Sequence, residues 1–338
     1  MAMLQVAQTL IGPKGSYELT RAMVHGVHRS TVFKAKVLSG TELVHGSHVL
    51  IKTPTPERRK FLTQEHDPYC KPAIASSLFI RKMYDEISEP PCLIFEWMDQ
   101  TLADIPPEDH FQNDALYKAV FEAGLNALAA LRDENLVHAD LRPDNILTSG
   151  IESHKPIAKI GDLGVIEDGF NDYQFQPFAM RAPEVWQGYS CTHRSEVWSL
   201  AATVLAWAKP GILGTAGIKD GVWPELWCIA NLMRAFPKWT ALPATSRVNE
   251  LTWECVKALS DAKDPDRPGR QYIEVSRLDE ELQNFSDETA KMLRYLHVAD
   301  PKIRPEAASA LLSSEFQALV HKANVTKKIG VGKDINAS

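Results

Sequence analysis

The chain has 338 residues, 44% hydrophobic and 24% charged, enough apolar surface for one large or two small packed domains. Its formal net charge of −6 excludes a surface built for generic polyanion binding, so no nucleic-acid partner is expected. Five scattered cysteines without a CxxC pair exclude a zinc ribbon or disulfide framework, and no window approaches ~18 uninterrupted apolar residues, so neither a membrane span nor a signal peptide is expected. The expectation is a soluble intracellular protein, cytoplasmic or nuclear.

Residues 17–52 read as short strands separated by Gly-containing turns. Residues 54–66 read as a short helix with Pro56 and Glu57 in its first turn. A second strand-rich stretch ends at residues 92–98. Then the pattern changes. Leu116, Val120, Phe121, Leu125, Leu128 and Leu131 recur at helical spacing within residues 114–134. Short strands and loops follow over residues 136–165, and helical patterns dominate from Glu184 onward. Residues 237–277, rich in Pro, Asp and Arg, read as an irregular insertion, and the polar end of the chain reads as a frayed tail. A small β-rich half before a larger helical half makes this an α+β chain in two lobes.

Four segments carry chemistry. Lys52 ends an apolar strand, where a fixed ammonium could face phosphates. Asp140, with Arg142 nearby and Asn145 five positions on, could orient a hydroxyl and hold a metal ion. Asp162 and Gly164 follow another strand, where the carboxylate could chelate a divalent cation and the glycine lets the backbone turn. Glu184, in an Arg-Ala-Pro-Glu run from Arg181, requires a cation if buried, and Arg304 suits it. Each segment alone is weak, because a strand-terminal lysine or an Asp/Asn turn is common. Four histidines (His25, His28, His45, His48) invite a metal reading, but no cysteine or carboxylate pair supports it.

In this order and spacing the segments resemble eukaryotic-type protein kinases, with residues 95–98 resembling the hinge and residues 195–200 the helix that anchors the catalytic loop. The resemblance implies a bilobal kinase-like fold: an N-terminal extension (1–16), a kinase domain (17–320) with an N-lobe (17–96), hinge (96–100) and C-lobe (101–320), and a flexible tail (321–338). It also implies ATP and Mg²⁺ as cofactors and an unidentified protein substrate, and leaves the oligomeric state open. By position, Lys52 matches the lysine that grips the α- and β-phosphates, with Glu65 as its helical partner. Gly26, Glu96 and Met98 match nucleotide-binding positions. Asp140 matches the catalytic base, Arg142 a γ-phosphate contact, and Asn145 and Asp162 the metal-holding pair. Glu184 and Arg304 match a structural ion pair.

Several positions depart from the family pattern. Gly26 is the only glycine of three expected in the phosphate-covering loop, with Val24 and Arg29 at the other sites. Ala139 replaces an arginine, Leu163 a phenylalanine, Pro177 a threonine, and Glu196 the aspartate that holds the catalytic loop. Three readings follow: an active serine/threonine kinase, a pseudokinase acting as a nucleotide-binding or scaffold module, and a small-molecule phosphotransferase of similar fold.

Overall fold

Alternating apolar residues near the front of the chain dictate a sheet with one face turned inward. In the computed structural model, which describes residues 4–23, 30–40, 48–54, 59–153, 155–163, 166–167, 175–239 and 250–331, they form one antiparallel sheet. Its strands are β1 (Thr9–Ile11), β2 (Gly15–Met23), β3 (Ser30–Gly40), β4 (His48–Pro54), β5 (Met83–Ser88) and β6 (Pro91–Glu96), in the order β1-β2-β3-β4-β6-β5. Between β4 and β5 run two helices, α1 (Arg59–Tyr69) and α2 (Pro72–Ala75). Tyr17, Leu19, Phe33, Ala35, Val49 and Ile51 fill the inner face and meet Cys92 and Ile94 of β6. The alternate β6 residues, Leu93 and Phe95, belong to the larger core of the second lobe. One strand thus serves both cores.

The second lobe opens with a small sheet, β7 (Gln100–Thr101), β9 (Ile146–Ser149) and β10 (Ile157–Ile160), ordered β10-β9-β7. A two-residue ladder joins β8 (Leu136–Val137) to β11 (Ile166–Glu167). Below them lie α3 (Asp114–Asp133), α4 (Pro183–Trp186), α5 (His193–Ala208), α6 (Pro224–Ala235), α7 (Glu250–Asp261), α8 (Leu278–Glu281), α9 (Asp287–Leu296), α10 (Ala307–Leu311) and α11 (Ser314–Val331). Asn113 caps α3 by accepting from the Leu116 amide at 3.1 Å. A Thr192–Ser195 capping box starts α5, which is buried on nearly all sides, as expected of a central core helix. Gly124 of α3 lies against Leu200 of α5, where a Cβ would collide with the leucine methyls.

Four sequence expectations differ from this arrangement. Residues 9–11, read as extension, add an edge strand because Leu10 pairs opposite Tyr17 and is buried. The helix read over 54–66 runs from Arg59 to Tyr69, while Pro56 and Glu57 lie outside the described residues. The stretch 237–277 contains α7, and its Val256, Ile273 and Val275 enter the core. Arg234 staples that stretch by donating to the Val275 and Ser260 carbonyls at 3.0 and 2.9 Å. The polar end of the chain continues as helix to Val331, because Phe316, Leu319 and Ala323 give α11 a buried stripe that docks it.

Beneath this lobe Arg304 is fully buried and grips Glu184 of α4 in a two-pronged pair, at 2.6 and 2.9 Å. Its remaining donors go to the carbonyls of Val298, Arg194 and Ala299. Removing one partner leaves an uncompensated buried charge. Arg304→Met is therefore expected to lower the unfolding free energy by ~3–5 kcal/mol. Lys118→Ala, which breaks the half-exposed Lys118–Glu122 pair on α3, is expected to cost under ~0.5 kcal/mol. Urea midpoints of the two variants check this; equal shifts would remove the distinction between the pairs.

Candidate active site

Between the lobes lies a cavity of about 500 Å³. Val32 and Leu50 line it from the first lobe and Leu147 from the second, a slot with apolar walls. Its polar end is built by Lys52, Glu65, Asn145 and Asp162. β4 delivers Lys52, whose ammonium bonds Glu65 of α1 at 2.7 Å and Asp162 at 2.8 Å. Three separate elements therefore meet on one nitrogen.

Electrostatics follow from that meeting. Burial would push the Lys52 ammonium down, but the Glu65 and Asp162 carboxylates more than offset it and hold the pKa above its usual value. Burial would likewise raise Asp162, and the neighbouring ammonium instead holds it below the ordinary carboxylate range. Glu65 ends above its ordinary range, because its burial outweighs the same ammonium. Asp162 itself has φ +56°, a left-handed conformation that aspartate tolerates better than most residues. Before it, Gly161 leaves no room for a Cβ, which would sit 2.8 Å from Leu147 Cδ1.

The loop before β9 supplies the second half. Asn145 donates its amide to the Asp140 carbonyl at 2.8 Å and carboxylate at 3.2 Å, which fixes the direction of Asp140. His138 ties the two halves. Its Nε2 donates to the Gly161 carbonyl at 3.1 Å, and its Nδ1 accepts from the Asp140 amide at 3.3 Å, which assigns the tautomer. Burial raises the Asp140 carboxyl above its ordinary range, against the opposing pull of His138 and Arg142.

Ala139, between these residues, has φ +61°, a strained conformation for a residue with a Cβ. A buried carboxylate holds it there. Glu196 of α5 accepts the Ala139 amide on Oε2 at 3.2 Å, so the longer side chain reaches where the family pattern has aspartate. Its Oε1 accepts from the Gln176 amide at 2.9 Å. Gln176, fully buried, also donates to Ser195 Oγ and accepts the Ala182 amide at 2.9 Å. Its main-chain carbonyl takes Arg181 Nε at 3.0 Å. Burial pushes the Glu196 carboxyl above its ordinary range.

Not every expected residue faces the cavity alike. Lys52, Glu65, Met98, Arg142, Asn145 and Asp162 line it. Asp140 stands behind Asn145, and the Glu96 side chain turns away to pair with Lys159 at 2.7 Å. Arg142 is held by Asp144 at 2.7 and 2.8 Å. Gly26, Val24, Arg29 and Gly164 lie outside the described residues. Among the described residues there is no cluster of three or more His, Cys, Asp or Glu suited to a metal ion, and His25, His28 and His45 lie outside them.

Two residues were missed in the sequence. Gln176 looked like one more polar residue beside Pro177. Arg81, just before β5, turns its guanidinium inward, where Nε donates to the Glu96 carbonyl at 2.9 Å and the fork lies 5.4 Å from the Phe95 ring centre. Burial pulls the Arg81 guanidinium down, against Tyr69, Glu65, Glu96 and Asp162. A signal existed: Ile80 before it is buried and Lys82 after it exposed, yet nothing local separates an inward arginine from a solvated one.

Comparison with known proteins matches residues 74–316, most of the chain, to the family described as "Protein kinase domain". Lys52 and Glu65 lie upstream of that stretch, and it is the fold that brings them to Asp162. The chain is similar to "Probable serine/threonine-protein kinase yakA" of Dictyostelium discoideum, 32% identical over 42% of this chain and 10% of the relative. It is similar to "Dual specificity protein kinase YAK1 homolog" of Arabidopsis thaliana, 34% identical over 33% of this chain and 12% of the relative. With human "Serine/threonine-protein kinase MAK" it shares 26% identity over 66% of this chain and 33% of the relative. The matches thus span only a small part of these relatives' own lengths.

The hold on Ala139 is testable. Glu196→Ala strips the acceptor from two buried donors, at ~1–3 kcal/mol each. The expected result is a lower denaturation midpoint together with much faster hydrogen exchange of the Ala139 amide. An unchanged exchange rate at that amide would show that the carboxylate does not hold the loop.

Proposed function

Because the chain belongs to the protein kinase domain family, we propose that it transfers the terminal phosphoryl group of ATP to a protein hydroxyl, with serine and threonine as the acceptor class. The observation that carries this reading is the convergence of Lys52, Glu65 and Asp162, with Asn145 and Asp140, at one end of an apolar slot. A planar base would fit between Leu50, Val32 and Leu147, with its phosphates extending toward the Lys52 ammonium. Glu65 keeps that ammonium in place from α1. The names of the relatives, serine/threonine and dual-specificity kinases, support the acceptor class.

Asp140 is the proposed base. Its carboxylate is aimed by Asn145, and its raised pKa places proton uptake nearer neutrality than an ordinary aspartate allows. The Asn145 amide nitrogen is spent on Asp140, which leaves its oxygen to act with the Asp162 carboxylate as a ligand pair for Mg²⁺. Such an all-oxygen pair would hold Mg²⁺, and a bound Mg²⁺ would supply charge neutralisation at the phosphates. Transfer needs no further acid from the chain, because positioning and charge supply most of the barrier reduction.

A second reading, a nucleotide-binding module without turnover, is favoured by one observation. Arg142 is committed to Asp144, so the cation proposed for the γ-phosphate is already paired.

Transfer of radiolabelled phosphate from Mg·ATP to a mixed Ser/Thr peptide library separates the readings. Asp140→Asn is expected to lower the rate ~10²-fold or more while leaving the Mg·ATP thermal shift intact. Asp162→Ala is expected to abolish that shift. Wild-type protein that binds Mg·ATP but transfers no phosphate would establish the second reading and refute the first.

The acid limb of the rate is a separate check. The working form of Asp140 is deprotonated, and its pKa is raised, so the rate falls as pH drops through a value above the ordinary aspartate range. A pH profile of kcat/KM whose acid limb lies at an ordinary carboxylate pKa would exclude Asp140 as the base.

A further inference from the structure

The inner end of the slot carries a cation that the proposed transfer does not use. Arg81 lines the same cavity as Leu50 and Leu147, reaching the Phe95 ring and the Glu96 carbonyl. It lies within electrostatic range of Tyr69, Glu65 and Asp162, where the edge of a base held between the two leucines and turned toward β6 would meet it. Its Nε donates to the Glu96 carbonyl at 2.9 Å, so the main-chain acceptor at that end is already engaged. Its two terminal nitrogens have no hydrogen-bond partner among the described residues, and neither is sealed from the cavity. The fork is set in place on both sides. The Phe95 ring lies 5.4 Å from its centre, and the stem passes 3.7 Å from the point where a Gly161 side chain would begin.

A planar guanidinium is a directional reader of bases. It offers paired N–H donors, and the base edge that answers them is the O6/N7 edge of guanine, which presents two acceptors. Adenine presents one acceptor and one amino donor along the same edge, and that donor would face a second donor carrying positive charge. Opposed donors in a desolvated slot leave both groups unpaired, which is the costly arrangement. Replacing the exocyclic amine by an oxo group removes the conflict and adds an acceptor for the cation.

We propose that the cavity binds 6-oxopurine nucleotides at least as tightly as adenine nucleotides, with Arg81 as the residue that reads the oxo edge. The inference rests on the nucleotide-binding reading above and names the base class that site accepts. Lys52 and Asp162 deal with the phosphates, common to both nucleotides, so the selection lies with Arg81 alone.

Isothermal titration of the full chain with Mg·ATP, Mg·GTP and Mg·ITP tests it. The expected result is a Kd for GTP and ITP equal to or below that for ATP. Arg81→Met keeps stem length and removes the donors, and is expected to shift the GTP-to-ATP ratio at least tenfold toward ATP. Arg81→Lys keeps the charge without the planar fork and is expected to shift it in the same direction; it carries the test if the methionine variant does not fold. ATP bound tenfold or more tighter than both GTP and ITP by wild type overturns the proposal and leaves the kinase reading standing. So does a ratio that neither variant moves. Failure of all three nucleotides to bind overturns the proposal and the kinase reading together.

Discussion

A carboxylate buried without a cation beside it organises the Asp140 end of this fold. Glu196 is fully enclosed in the first turn of α5, where the helix dipole and two neighbouring donors stand in for a counter-ion. Its two oxygens face in different directions. One holds the Ala139 amide and so sustains the strained backbone from which Asp140 projects. The other holds Gln176, which in turn fixes the Ala182 amide at the foot of α4. From α4, Glu184 passes the connection to Arg304 and the carbonyls around it. The loop that carries Asp140 is thereby anchored to the base of the lobe through side chains, each with its polar atoms satisfied. A chain of this kind is stable only when complete, because each member left unpaired would carry a desolvation cost.

The cleft obeys a different balance. Lys52 is paired directly with two carboxylates, whereas Arg81 hydrogen-bonds only a neutral carbonyl and feels Glu65, Glu96 and Asp162 at longer range. Buried cations of this kind are tolerated when a ligand or solvent completes them. The two ends of the slot therefore ask for different things: a metal-bound phosphate chain beside Lys52 and Asp162, and an acceptor-rich edge beside Arg81. Under the proposed function, both ends suit a nucleotide lying along the slot, with its charge at one end and its base at the other.

How much of this was legible in the sequence depends on the range of the interaction. The division into lobes was legible because strand alternation and the spacing of Leu116, Val120 and Leu131 are local signals. The site was legible because Lys52, Asp140, Asn145 and Asp162 recur in an order that chance seldom produces. Glu196 was legible as a departure, but the partner for its second oxygen was not. Gln176 gains its role only by lying against α5. The strand at 9–11 and the helix within 237–277 failed for the same reason: each buries one or two residues against partners far along the chain. Arg81 was the hardest case. Its neighbours describe a strand edge, and only packing turns the side chain into the cleft.

β6 links these levels. Its Cys92 and Ile94 pack into the sheet core, while Leu93 and Phe95 pack into the helical core, so a two-residue period assigns one strand to two bodies. A strand packed on both faces cannot part from either core without exposing the residues of that face. β6 therefore couples the two cores directly. Arg81 joins to the last carbonyl of β6, whereas Lys52 is met by Glu65 from α1 of its own lobe and by Asp162 from across the cleft. The Arg81 end of the slot is then set by the packing of β6. The Lys52 end is assembled from three elements, and its geometry depends on how all three pack.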